Sequence, residues 1–135
     1  MQRAACMLGL LVALPALPQQ SPNDVEMLKK YAGSWAVDCA KPGTRLGVDV
    51  KALTLSSGGK QVSSSAAPLA AFSYFGKMEP PAGFDVALLG EGRGSSLSFL
   101  AMKDAKGPYL TVDADGPLVK QFGQQALSGK FRHCP

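Results

Sequence analysis

Histidine is nearly missing from this sequence: His133 is the only one in 135 residues. A single imidazole excludes metal sites built from several histidines, and it leaves His133 as the sole base for any histidine-dependent triad. Clustered positive charge is missing too. Ten lysines and four arginines are scattered among ten acids, Lys29-Lys30 is the one adjacent basic pair, and the formal net charge is +4. Nucleic-acid binding calls for basic clusters interleaved with aromatics, so that class is excluded. Phosphate-binding loops are absent as well. Gly90-Glu-Gly-Arg-Gly94 fits neither Gly-x-Gly-x-x-Gly nor the P-loop, and Ser57-Gly-Gly-Lys60 lacks the P-loop's first glycine and its final Ser or Thr. Both read as hairpin turns. Asp113, Asp115 and Gly116 are spaced like the middle of a calcium loop. The twelfth position, which needs a bidentate Glu, would be Phe122, so an Asp-Gly turn is the expected use. No cofactor, no metal and no catalytic residue is expected, and the chain reads as a non-enzyme.

Long apolar runs are confined to the N-terminus. After Arg3, residues Ala4 to Leu14 carry no charge, and Pro15 and Pro18 interrupt the run. A membrane span needs about 18 or more apolar residues, so this pattern predicts a cleaved signal peptide over residues 1–20, with cleavage after Ala16 or Gln20. Cys6 is not placed as a lipid-anchor cysteine, because the apolar run follows it. Residues 21–135 are then a single exported domain, periplasmic or secreted, with net charge +3 and no membrane span.

Three cysteines become two on export. An even pair in an oxidising compartment predicts a Cys39 to Cys134 disulfide that closes nearly the whole domain. A loop of about 100 residues gains roughly 4 to 5 kcal/mol in the chain-entropy picture. The alternative, a reactive Cys134 served by His133, is disfavoured because adjacent strand residues point to opposite faces.

Ser21-Pro-Asn-Asp24 followed by Val25 to Tyr31 predicts a short helix, with a Ser cap, Pro in the first turn, lysines in the last and Gly33 as the stop. From residue 34 onward, short β-type runs alternate with Gly- and Pro-rich separators. They predict strands near 34–39, 46–55, 60–65, 70–76, 84–89, 96–102, 109–113, 118–122 and 129–134. The slip in alternation near Ala52 is read as a bulge. The expected fold is all-β, a small antiparallel barrel or sandwich of about eight strands with a short N-terminal helix.

Gly33-Ser34-Trp35, at the start of the first strand just after a helix, resembles the Gly-x-Trp signature of lipocalin-like barrels of the calycin group. The resemblance implies that Trp35 closes one end of a barrel and that an Arg from the last strand packs across it, which here would be Arg132. Gly33, Trp35 and Arg132 are therefore the barrel-closing candidates, and Trp35 as a plain core aromatic is the alternative. Two functional expectations follow. The first is an exported protein that binds another protein, in the manner of inhibitors or immunity proteins, through the loops 77–83 and 90–95. The second is a lipocalin-like carrier of a small apolar ligand, with Phe72, Tyr74, Leu97 and Phe99 lining a lumen.

Overall fold

The first helix begins where the cap chemistry says it should. The Ser21 hydroxyl accepts from the Asp24 backbone N–H, the Asp24 carboxylate accepts from the Ser21 N–H, and Pro22 occupies the first turn of α1, Pro22–Lys30. Its C-cap is Tyr31, two residues before the expected stop at Gly33. The computed structural model describes residues 20–76, 78–92 and 94–135, so the predicted signal peptide falls outside the described residues except for Gln20.

After α1 come β1 (Gly33–Ala36), β2 (Arg45–Val48), β3 (Leu53–Ser57), β4 (Lys60–Ser63), β5 (Leu69–Ala71), β6 (Val86–Glu91), β7 (Ser96–Asp104) and β8 (Gly107–Val112). Two short helices, α2 (Gly116–Phe122) and α3 (Gln124–Leu127), precede β9 (Arg132–His133). The strands form two antiparallel sheets, one in the order β4-β3-β2-β1-β9 and the other β5-β6-β7-β8. Among the described residues the ladder does not close into a barrel, so the fold is a small all-β sandwich carrying a short N-terminal helix.

The two sheets meet at seams. Leu110 of β8 and Phe131, just before β9, exchange both backbone hydrogen bonds at 2.8 and 2.9 Å. On the other side Ser65 donates its N–H and its hydroxyl to the Glu91 carbonyl, at 2.7 and 3.1 Å. Between the sheets lies a core in which strand alternation puts Trp35, Leu46, Val48, Leu53 and Leu55 opposite Val86, Leu88, Leu97, Phe99 and Leu110. The helices close its edges with Leu28, Leu118 and Leu127. Asp24 ties α1 to the outer edge of the second sheet, because its carboxylate also accepts the Ala70 N–H at 2.9 Å. That contact covers a strand edge that would otherwise present free backbone groups.

Two predicted strands are something else. The run 46–55 reverses within residues 49–52, where the Asp49 N–H bonds the Ala52 carbonyl at 3.1 Å, so it is the β2–β3 hairpin rather than one bulged strand. Residues 118–122 belong to α2. Asp115 caps that helix by accepting the Leu118 N–H at 2.9 Å, with Pro117 in its first turn.

Candidate functional site

Cys39 and Cys134 are joined, with their Cα atoms 5.5 Å apart and a sequence separation of 95. The bridge fastens the 37–44 loop to the residues following β9. The other residues drawn from the lipocalin resemblance are arranged differently from the expectation. Register pairs Trp35 with His133, and Ala36 with Arg132, so the side chain facing Trp35 is the imidazole. Its ring stands edge-on to the indole, with centroids 5.0 Å apart and planes at 80°. Gly33 (φ +127°) leaves room for this, since a Cβ there would run into the His133 ring. Trp35 is buried and donates its Nε1–H to the Tyr31 carbonyl at 2.9 Å.

Arg132 projects from the opposite face and never stacks on Trp35. Its guanidinium lies over the Tyr109 ring, 4.9 Å from the centroid, and binds Asp104 through both terminal nitrogens at 3.0 and 2.6 Å. Lys130 reaches the same carboxylate at 3.0 Å. Arg132 and then Lys130 hold the Asp104 carboxyl well below the usual carboxylate range. This cluster clamps β8 to the last strand on the outer surface.

The four residues expected to line a lumen are not brought together. Leu97 and Phe99 are packed into the core between the sheets, whereas Phe72 is 56% exposed and Tyr74 sits on a loop over the outer face of the second sheet. The calcium-like acid Asp115 is also occupied. One carboxylate oxygen caps α2 and the other accepts the Ser96 N–H at 3.0 Å. The predicted contact loop 90–95 shrinks to a tight β6–β7 hairpin, because Gly90 and Glu91 pair with Leu97 and Ser96.

The most distinctive surface is the segment between β5 and β6. It carries Phe72, Tyr74, Phe75, Met78 and Phe84, and Lys77 within it lies outside the described residues. Tyr74 is the hub: its ring meets Phe75 edge-on at 4.5 Å and Phe84 at 5.3 Å. Phe75 has φ +43°, a left-handed conformation that costs a bulky residue about 1 to 2 kcal/mol. The far end of the segment is fastened to β7 by Gly83 and Asp85, which extend the β6–β7 ladder through Lys103 and Ala101 at 2.9 Å each. Behind the aromatic hub, Ala87, Leu89, Ser98 and Leu100 floor an apolar hollow of about 200 Å³. Phe75 lines it and is 54% exposed, and on the same segment Phe72 and Met78 stand 56 and 62% exposed.

Phe84 also borders a second concavity of about 500 Å³, shared with Lys30, Tyr31, Asp85 and Lys103. Here the Tyr31 hydroxyl donates to the Asp85 carboxylate, and Lys30 pairs with the same oxygen at 3.0 Å. Burial, and then the Asp85 carboxylate, push the Tyr31 phenol up, while the Tyr31 hydroxyl and Lys30 keep Asp85 low. The three groups satisfy one another, which makes this a structural joint between α1 and the second sheet.

Compared with known proteins, the chain matches no family model, no curated protein and no solved structure. The aromatic segment could be glimpsed in the sequence, where four of the molecule's aromatic residues fall between positions 72 and 84. Alternation at Phe72 and Tyr74 assigned the first two to a strand and hid the cluster.

Proposed function

We propose that this chain is an exported, non-enzymatic binding module whose 72–84 segment docks on another protein. The observation that carries the reading is the exposure of Phe72, Phe75 and Met78 together on a segment whose base is fixed to a sheet. Fully burying such a side chain is worth roughly 1.5 to 3 kcal/mol, and more than half of each is still exposed, so three together can anchor an interface. The left-handed Phe75 adds weight, because backbone strain persists where the surroundings hold a residue in place for use. The partner that fits is a folded protein offering pockets for aromatic and thioether side chains, as an inhibitor's or immunity protein's target does. Export to a periplasmic or extracellular space is supported by the leader-like residues 1–20 and by the disulfide.

The test is crosslinking from position 75. The chain, exported by a bacterial host with a photoreactive amino acid at residue 75, is irradiated in extract of the source cells, beside a control labelled at Lys51. A single protein joined from position 75 and not from 51 is expected. Its affinity for the chain should fall about 100-fold or more in the triple variant Phe72→Ser, Phe75→Asn, Met78→Ser. Undiminished binding by the triple variant, or recovery of a small apolar molecule and no protein, would overturn the reading.

A further inference from the structure

The bridge between Cys39 and Cys134 has a cation seated on one of its two sulfurs. Arg45 Nη1 donates to Cys134 Sγ at 3.0 Å, while Nη2 donates to the Cys39 carbonyl at 2.9 Å and to the Lys41 carbonyl at 3.4 Å. The backbone of Arg45 is locked in the middle of its sheet, between Ala36 of β1 and Ser56 of β3, so the guanidinium is delivered to the sulfur by a rigid element. Among the described residues no carboxylate forms an ion pair with Arg45. Both cysteines are only partly buried, and Cys39 lies on the loop that joins β1 to β2.

We propose that the Cys39–Cys134 disulfide is a directional thiol-exchange site for a dithiol reductant, with Cys39 the sulfur attacked and Cys134 the leaving group received by Arg45. A thiolate of the dithiol attacks Cys39 Sγ. The S–S bond breaks, its electron pair goes to Cys134, and a mixed disulfide forms at Cys39. The second thiol of the dithiol loses its proton to solvent and attacks its own partner sulfur, which releases Cys39 as a thiolate. The dithiol ends oxidised to its disulfide, and the protein ends with two cysteines reduced by two electrons. The direction follows from the leaving group. A thiolate beside an arginine is stabilised, and the better-stabilised thiolate departs faster. Cys39 Sγ meets only the uncharged Arg132 carbonyl, at 3.9 Å, a contact that Cys134 Sγ shares, so no cation is seated on Cys39.

The exchange would act on structure as well as on sulfur. The 37–44 loop forms one wall of a concavity of about 230 Å³, with Val37, Asp38, Pro42 and Thr44 facing Gln125 and Phe131. Reduction detaches that wall from the residue behind β9. The concavity fastened by this clip is thereby opened by a dithiol and closed by an oxidant.

The test starts from oxidised, natively purified full chain. It is treated with glutathione, the reaction is quenched with N-ethylmaleimide, and the adducts are located by peptide mass spectrometry. Glutathione on Cys39 and maleimide on Cys134 is the expected pattern. Arg45→Met should abolish that preference and slow reduction by dithiothreitol about three- to tenfold, with Arg45→Lys recovering part of the rate. If Arg45 only tethers the loop, Arg45→Met loosens it and reduction speeds up. Faster or unchanged reduction in Arg45→Met, or glutathione found on Cys134 or equally on both cysteines of the native chain, overturns the proposal. The native-chain pattern decides on its own should the variants fail to fold.

Discussion

Gly83 shows how a single position can hold a surface in place. Its φ of +87° and its close approach to β7 leave no room for a Cβ, which would run into the Lys103 carbonyl oxygen. The same glycine carbonyl accepts the Lys103 N–H at 2.9 Å and so fixes the end of the aromatic segment. Gly83→Ala should cost about 1 to 3 kcal/mol in urea unfolding, because strain and clash act together. Gly43→Ala, where a Cβ meets open space, should be neutral in the same assay. At this scale the sequence was legible for Cys39 and Cys134 and misleading for Arg132. Its pairing with Trp35 assumed that the two residues share a face. The register places His133 opposite Trp35 instead, and a shift of one residue in a strand reverses which side chain faces the partner.

Among the elements, α2 is the instructive one. Asp115-Gly-Pro-Leu118 has the residues of a turn, and the apolar Leu118 and Val119 that follow suit a strand. The decisive chemistry is the Asp115 side chain, which accepts from Leu118 and turns the same residues into a helix start. Because its second oxygen also accepts from Ser96, the cap joins α2 to the beginning of β7. Asp115→Ala should therefore lower stability by about 1 to 2 kcal/mol, whereas Asp115→Asn should fall between it and the native chain, since Asn keeps the cap but its amide NH2 cannot accept from Ser96. Chemical denaturation of the two variants side by side reads the difference. By contrast α1 was legible apart from its exact stop, because its cap, its proline and its terminal lysines all lie within ten residues of one another. The β2–β3 hairpin was not. Val50 and Ala52 continue an apolar run straight through the reversal, and no Gly or Pro marks it.

For the molecule as a whole, three carboxylates join elements distant in sequence, and each is held below its ordinary pKa. Burial acts to raise Asp24, but the Ala70 and Ser21 N–H groups outweigh it and bring it down. Asp85 is lowered first by the Tyr31 hydroxyl and then by Lys30, and Asp104 by Arg132 and Lys130. A depressed folded-state pKa gives stability that is complete above the unfolded value of about 4 and drains away as the pH falls through the folded one. Tyr31, raised in the fold, works in the other direction. Its contribution is complete below the unfolded phenol value of about 10 and is lost as the pH climbs past it. A melting profile should therefore be flat from about pH 5 to 9 and decline on both sides. A profile still rising on acidification below pH 4 would contradict the ion-pair joints.

The pairing of β1 with β9 also sets an order of events. The strand Gly33–Ala36 leaves any delivering channel early, yet one of its two neighbours and the Leu110–Phe131 seam are supplied by residues 131–133. Sheet β5-β6-β7-β8 is complete once Val112 has emerged, so it can assemble while the first sheet still waits for its edge. Such long-range pairing is slow, and it leaves apolar strand faces uncovered in the meantime. A chain threaded N-terminus first is thus half-built and adhesive until residues 131–133 arrive. Whatever delivers it must shield that interval or outrun it.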